Sequence, residues 1–327
     1  MMKSITDYQL LVRSPMNYTG GKFKILNQIL PLFPSDINCF VDLFAGGCNV
    51  AVNAKAKKII ANDNLTFLVE LYGAFKKHGV SEVLDHVQGR IEMHSLSLTN
   101  VDGYNMMREL YNSERNPLDL FVLTAFSFNH QIRFNNNHQF NNPFGRERSS
   151  FNTAMEKNLI NFVKKIQELD IEFSSTNFDK FSFDDVVPGD FVYCDPPYLI
   201  TTGTYNDGKR GFTGWGEKEE QKLLAILDGL DTRGIKFALS NVLVHKGSVN
   251  LILNEWVKND GYVINDIEKN YSNSSYHTTN RDKSSTREVL ITNYPTGSTA
   301  RPELFIDDPQ LVPVQVPLFA FSNQGNA

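Results

Sequence analysis

The chain reads as a doubly wound α/β domain split by a mostly helical insertion, and three patterns predict it. An apolar run at 41–44 leads into Ala45-Gly46-Gly47 and then Asn49-Val50-Ala51-Val52, the signature of a strand, a tight glycine turn and the start of a helix. A short second strand at 58–61 ends on Asn62-Asp63-Asn64, which sets an acid at a strand's carboxyl end close to that turn. Further along, the apolar run Phe191-Val192-Tyr193-Cys194 stops abruptly at Asp195-Pro196-Pro197-Tyr198.

The remaining elements follow in order. Residues 65–75 have helical spacing, and from about 70 to 155 the strand signal gives way to helical stretches at 80–91 and 105–112. A polar segment crowded with asparagine and aromatic residues closes this stretch. Strand patterns resume at 171–173 and 191–194, followed by a helix at 217–230, a strand at 236–240 and a helix at 249–257. Strands at 262–269 and 288–293 complete the domain. The expected organisation is therefore a catalytic domain in two pieces, 1–69 and 156–295, around an insertion at 70–155. After Tyr294 the composition turns to Pro, Thr, Ser and Gly, which predicts an extended or disordered tail at 296–327.

With 327 residues and 41% hydrophobic content, the chain can bury a sizeable core, and it has no apolar run near the roughly 20 residues of a membrane span. Its three cysteines, Cys39, Cys48 and Cys194, have neither paired nor metal-type spacing. A cytoplasmic location without zinc fits that usage, and no metal is required by the chemistry read below. The net charge of -5 disfavours a protein that coats nucleic acid, yet Arg133, Arg146 and Arg148 face one acid, Glu147, across 121–150, so a local basic face is available.

Two prolines after a strand stiffen the backbone at the sheet rim, because each ring fixes φ and removes a donor. Such a rim can hold an exocyclic amino group. Asp195 accepts one amino hydrogen, the Pro196 carbonyl the other, and the Tyr198 ring stacks on a planar base turned out of its duplex. An ordinary strand-to-loop turn is the plainer reading of these residues. The glycine turn and Asp63 suit a ligand with ribose hydroxyls, but the missing Gly-x-Gly-x-x-Gly makes NAD and FAD poor candidates. A nucleoside without phosphate, such as S-adenosylmethionine, fits better. Near the start, Tyr18-Thr19-Gly20-Gly21-Lys22 lacks the spacing of a phosphate loop, and its ring and ammonium would instead close over the methionine carboxylate of that cofactor.

Together with Leu239-Ser240-Asn241, Thr286-Arg287-Glu288-Val289 and the block from Phe128-Asn129 to Arg146, these motifs resemble the Dam-type (α-class, D12 family) DNA adenine methyltransferases over residues 14–294. The resemblance implies a Rossmann-like, seven-stranded S-adenosylmethionine-dependent methyltransferase sheet with an inserted target-recognition domain. Adenine in double-stranded DNA would be the acceptor. By motif position, Tyr18, Lys22, Phe44, Gly46, Asp63, Phe178 and Asp195 would contact the cofactor, and Asp195, Pro196 and Tyr198 would hold the flipped adenine. Tyr18 stands where the family commonly has Trp, and Cys48 follows where a third glycine is expected. Asp at the first position of the catalytic motif favours adenine over N4 of cytosine.

Asn129, Gln131, Arg133 and Asn135 would read base edges, with Arg146 and Arg148 on phosphates. Arg281 and Lys283 would form a second phosphate contact or a plain charged hairpin, and 201–215 would close over the base or remain a surface loop. The block Asn129-His130-Gln131-Ile132-Arg133 differs from the Asn-Gly-Leu-Tyr-Arg of relatives that read GATC, which points to another target. The chain is expected to act as a monomer, with a cognate restriction endonuclease in the same system that forms no stable complex with it. Amino-methylation of N4 of cytosine, of RNA or of protein, and a non-catalytic nucleic-acid-binding protein, are the alternatives.

Overall fold

The computed structural model describes residues 11–201, 214–268, 286–296 and 312–313. Seven strands form the body of one sheet: β1 (Cys39–Asp42), β2 (Lys58–Asn62), β3 (Ile171–Ser174), β4 (Phe191–Cys194), β5 (Lys236–His245), then, past the two-residue β6 (Ser248–Val249), β7 (Val263–Ile267) and β8 (Thr286–Thr292). Their order is β3-β2-β1-β4-β5-β8-β7. The first five are parallel, with Val41 opposite Ile60 on one side and Val192 on the other, and β8 runs antiparallel between β5 and β7. A second two-residue strand, β9 (Val312–Pro313), extends the sheet through β6.

Why these strands lack polar alternation is clear from their packing. Phe40, Phe191 and Tyr193 point into a core shared with the helices after β2, while Val41, Val192 and Cys194 point into a second core against the helices after β4. Both faces are buried, so the run Phe40-Val41 of β1 and the whole of β4 carry apolar residues on both sides. The chain leaves β1 in one direction along the sheet and returns to β4 on its other side, which opens a crevice at the carboxyl ends of β1 and β4. Asp42, Asp63 and Asp195 all stand at or just past strand ends facing that crevice.

The helices largely follow the periodicity: the single-turn α1 (Leu26–Ile29), α2 (Thr66–Lys77), α3 (Val80–Met93), α4 (Val101–Glu114), α5 (Pro117–Phe126), α6 (Thr153–Glu168), α7 (Glu217–Thr232) and α8 (Leu251–Asp260). The residues at 69–70 lie within α2 and those at 155–156 within α6, and α2 packs against both α5 and α6. Helix α5 is enclosed by α2, α3 and α4, with Leu118 to Phe126 buried without a break. An apolar surface all round is what that enclosure requires.

One expected helix is absent. After the glycine turn the chain makes only a 3₁₀ turn at Ala51–Asn53 and is extended again at Ala54. The Asn53 amide donates to the Asn49 carbonyl at 2.7 Å, and both asparagines bind the incoming N-terminal segment, through Asn49 to Ser14 N–H and Asn53 to Val12 N–H. The Asn53 side chain thus takes the Asn49 carbonyl that a continuing helix would offer to a backbone N–H.

Candidate active site

The glycine turn is held from below by buried polar groups. Asp63 accepts the Gly46 N–H at 2.8 Å on one oxygen and the Leu65 N–H at 2.8 Å on the other, so it ties the turn to the start of α2. Burial raises its pKa against these two hydrogen bonds. The Tyr72 hydroxyl donates to the Gly46 carbonyl, and Asn62 bridges the ends of β1 and β3 through Leu43 and Thr176. Gly46 has φ +47°, and a Cβ there would lie 2.8 Å from the Tyr18 ring. Cys48, in the place of the third glycine, keeps the left-handed backbone with φ 59° and is fully buried.

Across the crevice, Asp195 is the centre of a charged cluster. The Lys22 ammonium is paired with Asp195 Oδ1 at 2.7 Å. Only 4% of Lys22 is exposed, and an ammonium so buried needs a carboxylate partner. The Tyr198 hydroxyl donates to the same Oδ1 at 3.0 Å, and its ring lies 5.0 Å from the ammonium. Burial raises the pKa of Asp195, with Lys22 opposing the shift. Two further carboxylates, which the motif reading gave no role, stand in the cluster. Asp42 ends β1, and burial together with the Asp195 charge pushes its pKa well up. Glu288 on β8 lies 3.2 Å from the Tyr198 hydroxyl and 4.0 Å from Lys22 Nζ. Alternation along the closing strand gave no signal that this residue faces the crevice.

Phe44 and Phe178 come together as the sequence suggested, with ring centroids 5.5 Å apart. A third ring completes the wall: Trp215 lies 5.7 Å from Phe44 and 5.3 Å from Phe178. Its indole N–H donates to Glu220 at 2.7 Å, and the other oxygen of that buried acid accepts from Asn241 and Asn250. Asn241 of the Leu239-Ser240-Asn241 motif thus supports the wall through Glu220, and Leu239 belongs to the same apolar cluster as Phe178.

The segment 127–149 is a folded loop pinned by bridges between Ser127 and Phe144 and between Phe134 and Phe140. Asn129 is exposed with φ 54°, and its carbonyl accepts from Asn17, one residue before Tyr18. Gln131, Arg146 and Arg148 are exposed, and Arg133 is half-buried. Asn135 is spent on its own loop, where Oδ1 accepts from the backbone of Asn137 and Gln139. Phe128, not singled out from the sequence for a role, exposes 40% of its surface beside Asn129. Arg281, Lys283 and most of 201–215 lie outside the described residues. Among the described residues, no group of three His, Cys, Asp or Glu side chains is placed to hold a metal ion, and no helix is long and apolar enough to cross a membrane.

A parallel-dominated sheet with the glycine turn, Asp63 and Asp195 gathered at its switch point defines a Rossmann-like methyltransferase. A family model for the D12 class N6 adenine-specific DNA methyltransferases matches residues 18–278, and the chain belongs to that family. It is 52% identical over 283 residues to the type II methyltransferase M.FokI of Planomicrobium okeanokoites, across 86% of this chain and 43% of that protein. To the modification methylase StsI of Streptococcus sanguinis it is 50% identical over 292 residues, 89% of this chain and 44% of the relative. The DNA adenine methylase of Escherichia coli (strain K12) is 27% identical over 233 residues, which cover 70% of this chain and 80% of that protein. The chain therefore spans less than half the length of the first two relatives.

Proposed function

We propose that this chain transfers a methyl group from S-adenosylmethionine to the N6 amino group of an adenine flipped out of double-stranded DNA. The observation that carries the proposal is the Asp195 carboxylate at the end of β4, held by Lys22 and Tyr198 and followed by Pro196, across the switch point from the Gly46 turn. When bound, S-adenosylmethionine supplies a methyl group on a sulfonium, which leaves as the neutral thioether. The residues fit it. Asp63 has lone pairs left for ribose hydroxyls beyond the two it gives to the backbone. Phe44, Phe178 and Trp215 offer ring faces to an adenine, and the two carboxylates Asp195 and Glu288 around one lysine suit a cationic ligand.

The adenine amino lone pair is delocalised into its ring. Accepting both amino hydrogens, at Asp195 and at the Pro196 carbonyl, favours a pyramidal nitrogen whose lone pair is free to form the new C–N bond. The amino group then gives up one proton towards Asp195 and on to solvent. Asp195 need not take a proton before attack, and positioning can supply on the order of 7–11 kcal/mol of the acceleration. The exposed Gln131, Arg146 and Arg148, with Arg133, would contact the duplex and offset the few kcal/mol of base extrusion. The names of two relatives, type II methyltransferase and modification methylase, favour a modification role beside a restriction endonuclease.

Methyl transfer from labelled S-adenosylmethionine to unmethylated genomic DNA, followed by single-molecule mapping, tests the proposal. Label as N6-methyladenine in one sequence context is the expected result. Cofactor binding with no transfer to DNA would overturn it and turn attention to RNA or protein acceptors. Gly46→Ala is expected to weaken S-adenosylmethionine binding by about tenfold, since left-handed backbone costs a Cβ-bearing residue roughly 1–2 kcal/mol and this Cβ presses on Tyr18. Calorimetric titration reads that loss directly; unchanged affinity would remove the turn from the cofactor site.

A further inference from the structure

Both groups that hold Asp195 also face Glu288. The Lys22 ammonium is 2.7 Å from Asp195 Oδ1 and 4.0 Å from Glu288 Oε1. The Tyr198 hydroxyl, with one proton to give, is 3.0 Å from the first and 3.2 Å from the second. Glu288 is 4% exposed on a strand hydrogen-bonded on both sides, so its backbone is fixed, while the Lys22 ammonium, which also donates to the Gly20 carbonyl at 3.1 Å, sits at the end of a flexible stem. A displacement on the order of 1 Å changes the lysine's partner from one carboxylate to the other.

We infer that Glu288 is a positioning residue that takes Lys22 and Tyr198 over from Asp195 when the acceptor amino group arrives. The inference rests on the amino-methylation reading. As found, Asp195 Oδ1 already accepts from two donors, and the ammonium beside it would repel a nitrogen that becomes positive as its new C–N bond forms. With Lys22 on Glu288, the Asp195 carboxylate meets that charge unshared, and the buried ammonium still has a carboxylate. No net charge enters or leaves the cluster in the exchange.

Four variants, Glu288→Gln, Glu288→Asp, Lys22→Met and the Lys22→Met/Glu288→Gln double, test this by kcat, KM for genomic DNA and calorimetric affinity for S-adenosylmethionine. Glu288→Gln keeps the side-chain shape but not the charge. Its kcat is expected to fall roughly 30- to 100-fold, the scale of a reacting group misplaced by an ångström, with KM and cofactor affinity within about threefold. Glu288→Asp should recover part of the loss. In the Lys22→Met background, Glu288→Gln should cost less than about threefold more, because residues that act as a unit are not additive.

Wild-type kcat in Glu288→Gln, a full further loss in the double variant, or a fall explained by lost cofactor affinity would each overturn the inference. If Glu288→Gln does not fold, as judged by circular dichroism, Glu288→Asp carries the test, and wild-type kcat in that variant would overturn it. A wild-type protein that leaves no label in DNA refutes the functional reading, and the inference falls with it. An active wild type with an equally active Glu288→Gln refutes the inference alone.

Discussion

Asp195→Ala is expected to lower methyl transfer by at least about 1,000-fold, the largest effect of any single change in the site, because on the proposed reading it removes the acceptor that shapes the amino lone pair. Asp195→Asn should fare little better, since its amide turns N–H donors towards an amino group that needs an acceptor. The two variants differ in what they leave behind. The amide keeps the volume of the carboxylate, and the Lys22 ammonium retains Glu288 within 4.0 Å. Burial raises the pKa of Asp195, so the folded state holds its proton more tightly than the unfolded chain does. Stability from this group is present at low pH and lost as pH rises through the folded-state value, so the ionised carboxylate weakens the fold at neutral pH. A melting temperature for Asp195→Asn equal to or above wild type, together with lost transfer, is the expected pair of results. Activity runs the other way: kcat should fall on acidification from a pH above the ordinary carboxylate range. An Asp195→Ala protein that still methylates would remove Asp195 from the site.

Asp119→Ala is expected to be the most destabilising change in the helical part of the chain, by about 3–5 kcal/mol. Asp119 is fully buried on α5, where His86 approaches Oδ1 at 2.6 Å and Arg90 donates to both oxygens at 2.9 and 3.2 Å. Removing the carboxylate strands a guanidinium and an imidazole between α3 and α5. Arg90 retains some exposure and can turn partly outward, which places the loss at the lower end of the range. Asp119→Asn keeps an acceptor for one partner and should cost about 1–3 kcal/mol. Urea unfolding measures both. Because α5 shares one core with α2 and the sheet, the loss should appear as a shift of the whole transition. A separate early transition would show that the helices unfold by themselves.

Most of the sheet was legible because a strand buried on both faces leaves an unbroken apolar run, and such runs end here on acids and prolines that mark the crevice. The run at 191–194 coincides with β4 residue for residue. Where the sequence misled, side chains had taken over backbone roles. Nothing in the residue types announces that Asn49 and Asn53 spend their amides on the N-terminal segment, yet that spending ends the helix expected after the glycine turn. Helix α5 escaped notice for the opposite reason, since a helix enclosed on all sides has no polar face to reveal its period. At the site, Asp195 and Tyr198 stood out through the prolines between them. Glu288 and Trp215 depend on where β8 and the start of α7 are laid against β4 and β1, a relation between distant segments that local pattern does not carry.

Strand β8 supplies Glu288, and it also settles when the molecule can be finished. It follows β7 in the chain but lies between β7 and β5 in the sheet. As the polypeptide leaves the ribosome, β1 to β5 can pair in turn, while β5 presents an open ladder until residues 286–292 have been made. During that interval the nascent chain exposes a long apolar edge, and Lys22 and Asp195 lack the carboxylate that completes their cluster. Synthesis past β8 closes the edge and assembles the cluster in a single event.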